Sequence, residues 1–408
     1  MKIGIFFDSQ INSGGGISVS QTKLKHLFNA LENEDDYTCF VTNENTYAYL
    51  KKKNKYNLIN FKINFFLKVL FFLHKIDLIK KIFVFFKVDN PLEKQLKKND
   101  IDLLFFISPS SFVKFCEFTP FVYSIWEMQH RSIPYFPEYR DPKYSQSNYR
   151  LREQSYKYAS DRAFKIIVDT NTTKTDVQNA YNCSRKDLFE IQAFVPDLPS
   201  YYERNKGNHN YDRIFDKLKL PKKKILFYPA QFWPHKNHIY LIKSLELLVK
   251  NNIDDFILVF TGHDKGNKKY IRNEINKRNL GNHVFLYDYL SLEQIISLYK
   301  NSFALTMTSL VGRSSLPLRE AFYFKLPVFY SGGILDKEYA IFVNELKLDN
   351  IDYLKKYLSK ENHSIDFQKI INAKEFYHHT CGDEIIINNY KSIIKDYKFN
   401  LEFWKEDK

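Results

Sequence analysis

Residues 228–238 of the chain read Tyr-Pro-Ala-Gln-Phe-Trp-Pro-His-Lys-Asn-His. The apolar run that ends at Tyr228 predicts a buried strand, and the apolar residues 239–242 predict the beginning of a helix. Lys236 therefore lies in a strand-to-helix turn. Because a helix N-terminus offers unpaired N–H groups and partial positive charge, a lysine in such a turn is well placed to bind phosphate.

A second turn of the same kind follows further along the chain. Residues 303–308 predict another strand, and Pro317 predicts the beginning of a helix that carries Glu320 about one turn from its start. The carboxyl ends of parallel strands meet at one edge of a sheet, so both turns are expected at that edge. A cation for phosphates and a carboxylate for ribose hydroxyls at one edge indicate a nucleotide-sugar site.

The residues in these two turns resemble a known enzyme family. The segment 229–238, together with Gly-Arg-Ser-Ser-Leu-Pro-Leu-Arg-Glu-Ala at 312–321, is similar to the retaining GT-B glycosyltransferases of family 4, in particular a bacterial branch that builds surface polysaccharides. The resemblance implies an α/β fold of two Rossmann-like domains, each with a doubly wound parallel sheet, facing a cleft. It also implies transfer of a hexose, such as mannose or a deoxyhexose, from a nucleoside-diphosphate sugar to a lipid-linked or growing bacterial surface glycan of the lipopolysaccharide or capsule type.

The same resemblance implies roles for individual residues. Lys236 is expected to contact the diphosphate, Glu320 to anchor the ribose and His130 to touch the transferred sugar. The other predicted donor-binding residues are Gly15 and Gly16, in a loop after the first strand, and Gln231, Gly262, His263, Gly312, Ser314, Ser315 and Leu316. Structural alternatives stay open for the first three: a solvated lysine, a glutamate paired with Lys325 or Arg319, and a structural histidine.

The chain departs from the pattern of the wider family in two places. That family usually has two glutamates separated by seven residues, and Gly312 stands where the first of them would be. An arginine common in the family would fall near Gln231, so a second cation would have to come from Arg313 or Arg319. These departures leave one alternative function, a catalytically silent GT-B subunit that binds the membrane and a partner transferase.

The length and the order of predicted elements indicate two domains. With 408 residues the chain is long for a single core, and strands alternate with helices in both halves. We expect an N-terminal acceptor domain at 1–198 and a C-terminal nucleotide-sugar domain at 211–375, separated by a polar linker at 199–210. Residues 376–408 are expected to form a helix that returns to the N-terminal domain.

Positive charge is concentrated in one part of the chain. The net charge is +14, and residues 51–98 contain thirteen lysines against three acidic residues, interleaved with clustered phenylalanines. This pattern predicts a surface helix that lies on anionic lipid. A pair of core-packed helices with a solvated lysine face is the open alternative. Nucleic acid is not an expected partner, because the segment has no arginine and no recognition motif.

Cysteine spacing and the chain start indicate the compartment. The four cysteines lie far apart without a Cys-x-x-Cys pair, which argues against disulfides and zinc and fits a reducing cytoplasm. The first strand begins directly after Met1, and no uncharged apolar run approaches the roughly 18–20 residues that span a bilayer. We therefore expect a cytoplasmic protein, attached peripherally to the inner face of the cytoplasmic membrane through 51–98. No metal or other cofactor is expected, since GT-B enzymes generally need none.

Overall fold

The protein was analysed as a computed structural model that describes residues 1–8, 15–31, 36–52, 57–63, 65–73, 85, 89–140, 149–185, 187–207, 211–313, 315–359 and 366–403. The chain forms two compact units. The first comprises Met1–Met128, Ser147–Ala193 and Asp383–Lys408, and the second comprises Gln129–Gln146 and Phe194–Gly382.

The first unit is built on a seven-stranded parallel sheet. Its strands are β1 (Lys2–Phe7), β2 (Asp36–Val41), β3 (Leu58–Asn60), β4 (Leu103–Phe106), β5 (Phe121–Ile125), β6 (Lys165–Val168) and β7 (Phe189–Ile191). They are arranged in the order β3-β2-β1-β4-β5-β6-β7, so the direction of winding reverses between β1 and β4. This is the strand order of a doubly wound nucleotide-binding sheet.

The helices of the first unit are Gly15–Ala30, Glu44–Lys52, Phe65–Leu73, Pro91–Lys98, Tyr149–Arg162, Asn171–Tyr181 and Asp383–Leu401, with a 3-10 turn at Ser111–Phe115. The last of these packs on the first. Asp383 accepts hydrogen bonds from Lys25 at 3.0 Å and from buried His26 at 2.8 Å. Further along, the Tyr397 hydroxyl donates to the Asp102 carbonyl at 2.8 Å. The C-terminal helix is thus part of the first unit.

The second unit is built on a six-stranded parallel sheet. Its strands are β8 (Lys224–Pro229), β9 (Phe256–Thr261), β10 (Val284–Tyr287), β11 (Ala304–Met307), β12 (Val328–Ser331) and β13 (Asn344–Leu346), in the order β10-β9-β8-β11-β12-β13. Every residue of β9 is buried, as expected for a parallel strand with helices on both faces of its sheet. In this sheet the winding reverses between β8 and β11.

The helices of the second unit are Gln129–Ser132, Pro137–Arg140, Asp197–Asn205, Ile214–Leu218, His238–Lys250, Lys268–Lys277, Leu292–Asn301, Leu316–Phe324, Lys337–Ala340, Asp352–Leu358 and Phe367–Cys381, with a 3-10 turn at Pro234–Lys236. The two parallel-sheet α/β units confirm the predicted fold class. The doubly wound order of both sheets is the arrangement that alternating strands and helices produce when each crossover is right-handed.

Two predicted local structures were wrong. Residues 199–210 were expected to be a polar linker, but Asp197–Asn205 is a helix with Leu198 and Pro199 buried. Its Tyr202 ring packs on Tyr211 and Phe324, so aromatic contacts hold a segment whose composition alone is polar. Gly15 and Gly16 were expected in a loop, but the helix begins at Gly15 and both lie in its first turn.

Candidate functional site

The reversal of winding in the second sheet brings the two predicted turns together. β8 and β11 are neighbours, Lys236 lies in the turn after β8, and residues 308–313 and 315 form the described part of the loop after β11. In open α/β sheets ligands bind outside the carboxyl ends of the strands at such a reversal, where the two following loops diverge and leave a crevice. The candidate site therefore lies at the place that sheet topology favours.

Lys236 contacts the second loop directly. Its ammonium nitrogen lies 3.4 Å from the hydroxyl oxygen of Ser309, and that hydroxyl donates to the Val311 carbonyl at 2.7 Å. Burial lowers the pKa of Lys236 to about 8, although the nearby carboxylate of Glu138 opposes this shift. An ammonium in a partly desolvated setting attracts an anion more strongly than a solvated one does, because the local dielectric constant is lower.

Hydrogen bonds to backbone carbonyls fix this turn on the loop that follows β11. The Thr308 hydroxyl donates to the Asn237 carbonyl at 2.9 Å, and the Leu310 N–H donates to the His235 carbonyl at 2.8 Å. From the β8 side, the Tyr228 hydroxyl donates to the Lys236 carbonyl at 2.9 Å. Asn237 itself takes the left-handed conformation, with φ of 50°, and the helix His238–Lys250 begins after it without a side-chain cap.

Glu320 lies in the helix Leu316–Phe324 and is half-buried. Burial raises its pKa to about 7, and a hydrogen bond that the Tyr299 hydroxyl donates at 2.5 Å opposes this rise. The Arg319 side chain is buried and donates to the Phe194 carbonyl and the Tyr339 hydroxyl, whereas Arg313 is exposed in the loop. A second cation for the diphosphate from either arginine stays a prediction.

The loop before this helix explains its glycine and one of its serines. Gly312 has φ of 120°, a backbone conformation that side chains rarely allow, so glycine is required there. The Ser315 hydroxyl caps the helix by accepting the Leu318 N–H at 3.2 Å, and its predicted contact with the donor stays a prediction. Leu316 is the first residue of the helix and is partly exposed, and Ser314 lies outside the described residues.

The remaining predicted donor residues of the second unit lie at the ends of β8 and β9. The Gln231 side chain accepts a hydrogen bond from the Trp233 indole at 2.9 Å, and the His263 carbonyl accepts the Phe232 N–H at 3.0 Å. A Cβ atom on Gly262 would lie 2.4 Å from the Ala230 carbonyl oxygen. Gly262 thus permits close approach of the two strand ends, which places Gln231 and His263 side by side at the candidate site.

His130 belongs to the second unit and the two N-terminal glycines belong to the first. His130 is in the short helix Gln129–Ser132 of the second unit and is completely buried, with its ring 6.4 Å from that of Tyr139. This is the setting of a structural histidine, so its contact with a sugar stays a prediction. Gly15 and Gly16 belong to the first unit, and their predicted role at the donor phosphates likewise stays a prediction.

One residue of the site was missed by the sequence analysis. Glu138 lies in the short helix Pro137–Arg140, and its Oε1 accepts the His235 N–H at 3.1 Å and lies 2.6 Å from His235 Nδ1. The two residues are 97 positions apart, and no spacing links them. An isolated acid among the aromatic residues 135–139 was the available signal, because a carboxylate in such surroundings needs a partner.

The described part of the chain contains no recognisable metal-binding site. There, His, Cys, Asp and Glu form no group of three or more that is arranged to hold an ion. The expectation that the chain works without a metal or another cofactor stays a prediction.

The family comparison finds a match over the second unit. Residues 210–360 match the protein family described as "Glycosyl transferases group 1". This range contains the Lys236 turn, the loop after β11 and Glu320. No curated protein matches the chain.

Solved structures resemble the chain along its whole length. HepE of Anabaena in complex with UDP-glucose is 13% identical, with a TM-score of 0.70, and the alignment covers 97% of this chain and 100% of that one. WaaG, described as a glycosyltransferase involved in lipopolysaccharide biosynthesis, is 13% identical with a TM-score of 0.64, covering 97% and 99%. Sucrose-phosphate synthase from Thermosynechococcus elongatus is 13% identical with a TM-score of 0.66, covering 98% and 99%. At such identities the likeness shows the fold, and with the family match it supports the predicted GT-B glycosyltransferase family.

Proposed function

We propose that this chain is a glycosyltransferase that uses a nucleoside-diphosphate sugar as donor. The single observation that carries the proposal is the contact between Lys236 and Ser309, because it joins the two turns at the reversal of strand order in the second sheet. A partly buried ammonium suits a diphosphate, and a partly buried carboxylate at Glu320 suits a ribose diol. The match of residues 210–360 to glycosyl transferases group 1 supports the same activity.

Within this proposal we assign the narrower function predicted from the sequence. The chain transfers a hexose, with mannose or a deoxyhexose as candidates, to a lipid-linked or growing bacterial surface glycan, as a member of family 4. Its reaction retains the anomeric configuration. The complexes of HepE with UDP and UDP-glucose support a nucleotide-sugar donor, and the likeness to WaaG supports a glycan acceptor.

The proposed reaction needs positioning and charge stabilisation rather than a covalent intermediate. The acceptor hydroxyl oxygen attacks the anomeric carbon from the face that the diphosphate leaves. The bond between that carbon and the diphosphate oxygen breaks, its electron pair stays on the diphosphate, and the departing oxygen takes the hydroxyl proton. Lys236 stabilises the negative charge that develops on the departing diphosphate. Such electrostatic stabilisation of the transition state is usually the largest single contribution to enzymatic rate enhancement.

A donor panel tests the proposal directly. We expect calorimetric titration with UDP, GDP and dTDP to give saturable heat with at least one nucleotide, and the matching sugar nucleotides to raise the melting temperature. With a ligand at 100 times its dissociation constant, the expected stabilisation is about 2.7 kcal/mol. An absence of heat and of stabilisation with all three nucleotides would instead favour the silent subunit.

The lipid-binding part of the proposal is supported by the helix Phe65–Leu73 of the first unit. Phe71 faces inwards and packs on Phe61 and Phe115, but Phe65 and Phe72 are 82% and 62% exposed. Exposed aromatic residues beside lysines are typical of segments that insert into an anionic lipid surface. The described residues thus combine a core contact with an exposed apolar face, while 53–56, 64, 74–84 and 86–88 of the predicted membrane segment lie outside them. No helix within the described ranges could span a bilayer.

Liposome flotation tests this attachment. We expect the protein to float with vesicles that contain anionic lipid and to be released at 1 M salt, where charges are screened within about 3 Å. Changing both Phe65 and Phe72 to serine is expected to weaken binding about 100-fold or more, because each buried phenylalanine contributes roughly 1.5–3 kcal/mol. Phe367→Ser, at a 73% exposed phenylalanine of the second unit, is the matched control. Equal flotation of all variants would exclude this helix as the attachment site.

A further inference from the structure

We propose that Glu138 is a positioning residue of the diphosphate site: it holds His235 by two hydrogen bonds and is the buried counter-charge of Lys236. The assignment of a diphosphate to this site rests on the proposed function. The first test of this inference needs no nucleotide, so the inference and the proposed function can fail separately.

The geometry gives Glu138 a fixed place beside the turn. Its side chain is 3% exposed, and that of His235 is 9% exposed. A single oxygen, Oε1, accepts the backbone N–H of His235 at 3.1 Å and lies 2.6 Å from its Nδ1. Since Oε1 of an ionised carboxylate can only accept, Nδ1 of His235 carries the proton in this contact. The carboxylate thus fixes both the backbone and the ring of the residue that precedes Lys236.

The second oxygen of Glu138 shows why a nearby cation matters. Oε2 is buried and has no hydrogen-bond partner in the described part of the protein. A buried, incompletely bonded carboxylate is costly unless positive charge compensates it. Burial raises the pKa of Glu138, but the hydrogen bond from the His235 ring and those from the backbone N–H groups of Glu138 and His235, together with the charge of His235, lower the pKa below its ordinary value. Glu138 is therefore ionised at neutral pH and attracts Lys236.

Within the described ranges, the other groups named here beside Lys236 carry no negative charge. The Ser309 hydroxyl is neutral, and burial lowers the pKa of His238 to about 3, so that His238 is an uncharged ring between Tyr228, Phe232 and Phe260. His235 is already engaged by Glu138. Among these neighbours Glu138 alone is a carboxylate, and it is the group that opposes the loss of the Lys236 proton through burial.

This arrangement has a direct consequence for the proposed reaction. Before a donor binds, the carboxylate keeps the partly buried lysine in its ammonium form. Without that carboxylate, desolvation acts on Lys236 unopposed, and more of the protein meets an anionic donor with a neutral amine. Glu138 thus acts through Lys236 and His235, from a segment that also carries His130.

The first test is the titration of Lys236 in the nucleotide-free protein. Reductive methylation with 13C labels the lysines, and the signal that Lys236→Arg removes identifies the residue. We expect a midpoint near pH 8 in the wild type and a midpoint at least about one unit lower in Glu138→Gln. Glu246→Gln is the matched control, because that glutamate is ion-paired with Lys250 in the same unit and is expected to leave the midpoint unchanged.

A second variant protects the test against misfolding. Glu138→Met removes the charge but keeps a side chain of similar length, and apolar replacement of a buried ionic group is often tolerated. It is expected to show the same lowered midpoint. An unchanged or raised Lys236 midpoint in whichever of these variants folds, judged by its melting curve, would overturn the proposal.

The second test uses UDP as the probe and connects the inference to function. At pH 8 we expect Glu138→Gln to bind UDP roughly five-fold more weakly than the wild type, and at pH 6.5 within about two-fold of it. A merely structural role for Glu138 would weaken binding equally at both values, which would overturn the inference. If the wild type binds neither UDP, GDP nor dTDP, the proposed function fails, while the titration of Lys236 still decides whether Glu138 is its counter-charge.

Discussion

Replacing Lys236 with alanine is expected to lower the rate of sugar transfer by about 10²–10³-fold, the loss typical when one fixed donor to a developing anion is removed. The effect should be large because the ammonium is partly buried and meets the leaving group in a setting of low dielectric constant. Initial rates with the donor found in the nucleotide panel measure it, and nucleotide affinity is expected to fall in parallel.

The matched control for this change is Lys250→Ala. Lys250 ends the helix that follows the Lys236 turn, and it forms an exposed pair with Glu246. Exposed pairs of this kind contribute about 0.2–1 kcal/mol, so activity is expected to stay within two-fold, or about 0.4 kcal/mol, of the wild type. Lys236→Ala and Lys250→Ala with similar activities would remove Lys236 from the reaction.

The pH dependence of nucleotide binding gives an independent check on Lys236. Burial lowers the pKa of Lys236 to about 8, so the side chain is mostly ammonium at pH 7 and loses its proton as the pH rises through 8. A bound diphosphate favours the ammonium, so affinity is expected to be highest below pH 8 and to fall roughly 30-fold between pH 7 and pH 9.5. Lys236→Arg should abolish this fall, because a guanidinium keeps its proton throughout the range.

Most of the fold could be predicted from the sequence because the parallel strands are continuous apolar runs. Residues 303–308 were predicted as a strand, and β11 spans Ala304–Met307. The strands that escaped prediction are β3, β7 and β13, each three residues long and each at the edge of a sheet. Edge strands are covered on fewer sides, so their composition carries little apolar signal, and their pairing depends on the neighbouring strand rather than on local pattern.

The candidate site was predictable where one turn contains its own chemistry. Lys236 and Glu320 each lie in a local strand-to-helix pattern, and the order of strands brings their two turns together. Glu138 could not be found in this way, because its partner is fixed only by tertiary structure. Arg319 illustrates the opposite case, in which a local pattern suggests a role but not the surroundings. Its sequence position suggested a cation for the donor, but the folded chain buries its guanidinium against the Phe194 carbonyl.

Changing Glu320 to alanine is expected to lower nucleotide affinity by about 100-fold or more. Each hydrogen bond to a charged group contributes roughly 1.5–3 kcal/mol, and a carboxylate that binds a ribose diol forms two of them. Burial has already raised the pKa of Glu320 to about 7, so the carboxylate is partly desolvated before a ligand arrives. Little additional desolvation is then required when hydroxyl groups replace solvent around it.

The ribose itself provides the decisive comparison for Glu320. Wild-type protein is expected to bind UDP about 10-fold more tightly than 2′-deoxyuridine diphosphate, since one hydroxyl donor is lost, and Glu320→Ala should remove this preference. Tyr299→Phe is the matched control, because it deletes the hydroxyl that donates to Glu320 at 2.5 Å but leaves the carboxylate in place. That variant should keep the preference for ribose even if its stability falls by about 1 kcal/mol. A Glu320→Ala variant that still discriminates between the two nucleotides would show that Glu320 serves the contact with Tyr299 and not the ribose.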